Sequence, residues 1–125
     1  MNKKRILVVD DEPDLTLGCR MILEDAGFNV DTFNDPLLAL SNFKPNYYDL
    51  ALLDVKMPKM DGFSLYNEIR KVDGKIKMCF LTASESYYEV YRKDEFVKLD
   101  KDLFIQKPIE NEELVNRINK IIILN

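Results

Sequence analysis

Two stretches decide the fold: Arg5-Ile6-Leu7-Val8-Val9-Asp10-Asp11-Glu12 and Leu50-Ala51-Leu52-Leu53-Asp54. Each is a short apolar run that ends in carboxylates. Two later stretches share the plan with other endings: Met78-Cys79-Phe80-Leu81 leads to Thr82, and Leu103-Phe104-Ile105 leads, past Gln106, to Lys107. A run that is apolar at consecutive positions has no solvent face. It suits a strand covered on both sides, as in parallel sheets flanked by helices. In such a sheet the strand carboxyl ends share one edge, and ligands bind there. Asp10, Asp11, Asp54, Thr82 and Lys107 are therefore predicted on a common rim.

Between the runs the period changes from strand to helix. Strands are predicted over 5–9, 28–33, 49–53, 76–81 and 103–106. Leu15, Cys19, Ile22, Leu23 and Ala26 make an amphipathic stripe, closed at Gly27 by a left-handed cap. Asp35-Pro36 supplies an N-cap and a first-turn proline to a second helix with Leu37, Leu40 and Phe43 inward, ended by Pro45. Leu65, Ile69 and Val72 mark a third helix, closed near Gly74. A weaker stripe predicts a helix over 84–97, and Leu114, Val115, Ile118, Ile121 and Ile122 stripe a final one. This alternation predicts an α/β fold: a single doubly wound five-stranded parallel sheet, order 2-1-3-4-5, flanked by five helices. Its first and third strands flank the switch point, and they end at Asp10-Asp11 and Asp54.

Bulk properties narrow the function. A chain of 125 residues reads as one domain, 1–125. A net charge of −4 without a basic block disfavours direct binding to nucleic acid or an anionic membrane. No apolar run nears the roughly 20 residues of a membrane span, and the apolar run after Arg5 is shorter than a signal-peptide core. Cys19 and Cys79 sit in apolar patterns without metal-ligand spacing, as small buried hydrophobes in a reducing, cytoplasmic setting. With no histidine, the chain has no Ser-His-Asp triad, no Cys-His nucleophile and no phosphohistidine of its own.

Asp10, Asp11 and Asp54 in one crevice repel one another unless a cation or proton intervenes. Carboxylate oxygens suit a hard divalent ion such as Mg2+. Lys107 is the one neutralising side chain on the rim, and it suits a phosphoryl group as a point charge. Pro108 permits a cis peptide that aims Lys107 inward. Thr82 offers a hydroxyl, and small Ala83 leaves room for a phosphate.

Val8-Val9-Asp10-Asp11-Glu12, Leu53-Asp54-Val55-Lys56-Met57-Pro58 with Asp61-Gly62, Leu81-Thr82-Ala83 and Lys107-Pro108 together resemble the receiver domain of two-component response regulators, over essentially the whole chain. The resemblance implies a phosphorylation-activated signalling switch rather than an enzyme acting on a separate substrate. Asp54 matches the phosphoacceptor, a nucleophile ionised at pH 7. Asp11 and Asp54 match direct Mg2+ ligands, Asp10 a partner acting through water, and Lys56 a ligand through its backbone carbonyl. Thr82, Ala83 and Lys107 match the phosphoryl-binding set. Thr82 and Phe104 match the switch pair, with Phe104 lacking the hydroxyl of a tyrosine.

Implied partners are a sensor histidine kinase or phosphotransfer protein, a downstream effector domain or protein, and a second copy in a phosphorylation-dependent homodimer. The implied output surface lies around helix 84–97, the fifth strand and the final helix. The interval from Thr82 to Lys107 is longer than usual in the family and lacks its Gly-Ala pair. Tyr87, Tyr88 and Tyr91 there suit either core packing or an exposed aromatic patch. Lys56, two residues after Asp54, and Ser84, two after Thr82, border the expected path of attacking water, and Lys56 has Glu85 or the phosphoryl group as partners. Two other readings stay open: a degenerate receiver acting as a phosphorylation-independent scaffold, and a haloacid-dehalogenase-like phosphatase. The second usually needs an aspartate where Lys56 stands.

Overall fold

Strands apolar on both faces assemble where helices can cover both faces. The computed structural model, which describes residues 3–83 and 103–123, shows this arrangement. In chain order the elements are β1 (Arg5–Val9), α1 (Pro13–Asp25), β2 (Asn29–Phe33), α2 (Pro36–Ser41) and β3 (Leu50–Asp54). They continue with α3 (Gly62–Val72), β4 (Lys77–Thr82), β5 (Phe104–Gln106) and α4 (Asn111–Ile123). All neighbouring strands are parallel, in the order β2-β1-β3-β4-β5. The sheet order matches the sequence reading. Four helices lie among the described residues. The helix predicted over 84–97, with Ser84, Glu85 and the three tyrosines, lies outside them.

Side chains alternate across each strand, so the sheet divides two cores. Ile6, Val8, Leu52 and Leu81 face α1 and α4, where Cys19, Leu23, Leu114 and Ile118 meet them. Leu7, Val9, Leu53 and Phe80 face the other side, against Ala39 of α2 and Phe63, Leu65 and Ile69 of α3. Burial pushes the thiols of Cys19 up to about 11 and Cys79 up to about 12. Both are packing residues.

Three side chains depart from their predicted stripes. Leu37 is exposed because Pro36, at the first helical position, takes the inward place that Ala39 continues. This helix ends at Ser41, capped by Asn42, well before Pro45. Val72 is exposed because Asp73 turns inward instead. The Asp73 carboxylate accepts N–H groups of Asn46 (2.9 Å), Lys75 (3.0 Å) and Ile76 (3.1 Å). Burial alone would raise its pKa, but these bonds and Arg70 together hold it below the usual carboxylate range. Ala26 is exposed as the C-cap of α1, and Gly27 follows at φ 101° as expected.

One glycine positions the site. Asp61 caps α3 through Ser64 N–H, and the Gly62 N–H donates to the Val55 carbonyl at 2.8 Å. A Cβ on Gly62 would lie 2.2 Å from the Asp54 backbone oxygen. The start of α3 therefore rests directly on the end of β3. Gly62→Ala is expected to destabilise the protein by about 1–3 kcal/mol, as overpacking does. Urea unfolding checks this, and a midpoint equal to that of the parent would refute the close approach.

Candidate functional site

The site begins where β1 stops. Asp10 donates its backbone N–H to Phe33 O (3.1 Å), continuing the pairing with β2. Its Oδ1 accepts the Glu12 N–H (2.9 Å), which fixes the turn into α1. Asn34, just past β2, donates to the Asp10 carbonyl (2.8 Å) and to Thr16 Oγ1 (2.9 Å). Thr16 in turn donates to Pro13 O (3.1 Å). Asn34 and buried Thr16 thus brace the Asp10-Asp11-Glu12 turn, and sequence reasoning assigned neither. The signal was an amide at the end of an edge strand and a hydroxyl in the first turn of α1.

Asp54 is the last residue of β3, next to β1, so its carboxylate is brought to Asp10 by topology. From the far side comes Lys107. Its backbone N–H donates to Thr82 O (2.8 Å), and the Lys107–Pro108 peptide is cis, as Pro108 allowed. The Lys107 Nζ lies 2.9 Å from Asp10 Oδ2, 3.3 Å from Glu12 Oε1 and 3.4 Å from Asp54 Oδ1. Asp10 Oδ2 is buried and accepts no well-directed hydrogen bond, so the ammonium balances it as an ion pair.

In front opens a cleft of about 760 Å³ lined by Asp11, Glu12, Asp54, Lys56, Met57, Pro58, Thr82 and Ala83. The loop that carries Lys56 is tied down at Lys59, in the left-handed region at φ 74°, whose Nζ meets Asp35 Oδ2 at 2.6 Å. Phe104 is half-buried, its ring stacked on Phe80 at 5.0 Å and tilted against Phe63 at 5.9 Å. The rim therefore brings together Asp10, Asp11, Asp54, Lys56, Thr82, Ala83 and Lys107, while Phe104 packs in the aromatic core behind.

Burial and the neighbouring Asp10 charge push the Asp54 carboxyl up to about 7, partly offset by Lys107, with Asp11 adding to the rise. In the metal-free protein this carboxyl is therefore harder to ionise than a free aspartate. Asp10 is raised as well, again by burial first, against the pull of Lys107. Burial would lower Lys107, but Asp10, Asp54 and Glu12 together raise it, so it stays a cation.

This donor set fits a hard cation. Carboxylate oxygens of Asp10, Asp11 and Glu12 all lie within 4.8 Å of one another. Oxygen-only ligands, excess negative charge and an unsatisfied buried oxygen at Asp10 are what Mg2+ or a similar ion relieves. Glu12 is the exposed member of this cluster and its carboxylate is turned to Lys107 Nζ at 3.3 Å; sequence reasoning gave it no role, and the signal was a third consecutive acid.

Folding carries the cost of the raised Asp54. The unfolded chain loses this proton near pH 4, the folded protein only near pH 7. Stability is therefore lost as pH rises through that window, by roughly 2–4 kcal/mol. In EDTA, Asp54→Asn is expected to raise the melting temperature by roughly 5–10 °C at pH 8 and by far less at pH 4.5. Thermal unfolding followed by circular dichroism checks it, and an equal shift at both pH values would contradict it.

Comparison with known proteins identifies the family to which this fold belongs. The family model described as response regulator receiver domain matches residues 6–119. Transcriptional regulatory protein RprY of Bacteroides fragilis (strain YCH46) is 36% identical over 120 residues, 96% of this chain and 50% of that protein. A CpxR homolog from Haemophilus influenzae is 36% identical over 118 residues, 94% of this chain and 50% of its own length. The chain thus spans about half the length of these curated relatives. The non-phosphorylated HemR receiver domain of Leptospira biflexa superposes with a TM-score of 0.85 at 31% identity, covering 98% of this chain and 97% of that one. Response regulator TrrA of Thermotoga maritima, solved in complex with Mg2+-BeF, gives a TM-score of 0.78 at 34% identity, covering 94% and 98%. The chain belongs to the response regulator receiver domain family.

Proposed function

We propose that this chain is a phosphorylation-activated switch in which Asp54 accepts a phosphoryl group from the phosphohistidine of a sensor kinase or phosphotransfer protein. The observation that carries it is Asp54 at the carboxyl end of the central strand, facing an open cleft, with the Lys107 ammonium 3.4 Å away. A carboxylate beside a fixed cation, in a cleft with a hydroxyl, is suited to hold and receive a phosphoryl group.

In the transfer, an Asp54 oxygen attacks phosphorus while the donor's P–N bond breaks. The imidazole nitrogen leaves with the electron pair and takes up a proton. Lys107 neutralises charge on the equatorial phosphoryl oxygens, and Thr82 and the Ala83 backbone complete their cradle. Asp11, Asp54 and the Lys56 carbonyl would hold Mg2+, with Asp10 reaching it through water. When bound, the ion supplies charge neutralisation and keeps Asp54 ionised at neutral pH. The TrrA structure with Mg2+-BeF supports this assignment by likeness.

After transfer, the phosphoryl draws Thr82 inward, and Phe104 follows by repacking against Phe80 and Phe63. The altered surface then meets an effector domain, an effector protein or a second copy. The relatives' names point to control of transcription as the output. No helix of the described residues is long and apolar enough to cross a membrane. The cytoplasmic setting read from two free, buried cysteines is kept as part of this proposal. The exposed Lys56 side chain, where a haloacid-dehalogenase-type enzyme usually keeps an acid, removes support for that alternative.

Incubation with acetyl phosphate and Mg2+, read by intact mass, tests the assignment. One phosphoryl adduct is expected on the parent, none on Asp54→Asn and none in EDTA. Lys107→Met is expected to slow its formation by roughly 10- to 100-fold. An adduct on Asp54→Asn, or none on the parent, would overturn the reading.

A further inference from the structure

Glu12 stands at the N-cap of α1 yet makes no capping hydrogen bond. Helix starts favour Ser, Thr, Asp or Asn, whose short side chains reach the free N–H groups. Capping therefore does not account for a glutamate here, which leaves only the general preference for negative charge at a helix start. Its side chain instead crosses to the Lys107 ammonium, 95 positions away in the sequence.

An ammonium has three N–H donors. Lys107 has three carboxylates within ion-pair distance: Asp10, Glu12 and Asp54. Of these, Glu12 accepts a hydrogen bond from the ammonium at 3.3 Å, and a phosphoryl oxygen that approaches Lys107 competes with all three for it. Asp10 is fully buried, and releasing it would strand an uncompensated charge. Asp54 is the acceptor itself and stays bonded to the phosphorus. Glu12 is 64% exposed at the mouth of the cleft, so water takes over its solvation at little cost.

We propose that Glu12 is a latch: a positioning residue that holds Lys107 occupied until a phosphoryl group displaces it. The latch sets how readily anionic small-molecule donors act on this chain, and it re-engages Lys107 when the phosphoryl group is lost. The inference rests on the assignment of Asp54 as phosphoryl acceptor.

The test compares the parent, Glu12→Gln and Glu12→Asp with acetyl phosphate at saturating Mg2+. In this step an Asp54 oxygen–phosphorus bond forms, the donor's P–O bond breaks, and acetate leaves with the electron pair. Intact mass follows the rate. Glu12→Gln removes the charge, whereas Glu12→Asp keeps it at the mouth but shortens its reach to Lys107. Both variants are expected to react about three- to tenfold faster than the parent, as losing a surface ion pair predicts.

A parent-like Glu12→Asp beside a fast Glu12→Gln would show a charge effect at the mouth and overturn the latch. Rates unchanged or slower in both would also overturn it. A second readout uses metal-free protein: urea midpoints of Glu12→Gln, Lys107→Met and the double variant. The latch requires non-additive shifts, and additive shifts refute the pair. An inert parent would instead defeat the Asp54 assignment, with the latch falling alongside it. An active parent with unmoved variants defeats the latch alone.

Discussion

Everything at the rim depends on one electrostatic conflict: two buried carboxylates, Asp10 and Asp54, share a single ammonium. Strands β1 and β3 are neighbours and parallel, so a carboxylate at the end of each is forced to the same place. Lys107 comes from β5, two strands over from β3, past the end of β4. A long flexible stem is needed to span that gap, which lysine supplies and shorter cations do not. The backbone bond from Lys107 to Thr82 anchors its root. One ammonium does not balance the whole group, and the residue of the conflict appears as the raised Asp54 pKa. The site is left with two ways to relax, by a proton or by a cation, and only the second leaves Asp54 nucleophilic.

The parts of the molecule that follow from periodicity were legible in the sequence. Apolar runs without a polar face specified parallel strands, and from the strand order came the meeting of Asp10, Asp54 and Lys107. Periodicity failed where one residue took its neighbour's place. Pro36 is apolar enough to turn inward and releases Leu37, and Asp73 displaces Val72 because three backbone N–H groups await it. Polar bracing leaves no periodic trace at all. Asn34 and Thr16 act through single hydrogen bonds fixed by tertiary geometry, and Gly62 matters only because the Asp54 carbonyl lies beneath it.

Glu12 illustrates the same limit from the other side. Read along the chain, it is one more acid at a helix start, where negative charge is generally welcome. Read in space, it is the exposed member of a trio around Lys107, and exposure separates its role from that of Asp10. Two carboxylates of equal charge differ in what they cost to release, because one returns to water and the other does not.

The switch proposed for this chain would have a concrete physical route from the rim through this sheet. Thr82 pairs with Gln106, and Phe80 pairs with Phe104, in the register of β4 and β5. A shift of Thr82, as proposed, would therefore act on the strand that carries Phe104 through shared backbone bonds. Phe104 has no phenolic hydroxyl, so no side-chain hydrogen bond distinguishes its orientations. Its balance is set by stacking on Phe80 and Phe63 against the cost of exposing the ring. Both terms are modest, which is what a switch requires, since a deeply buried ring would be fixed and a fully exposed one would report nothing. The half-buried state of Phe104 places it between those limits.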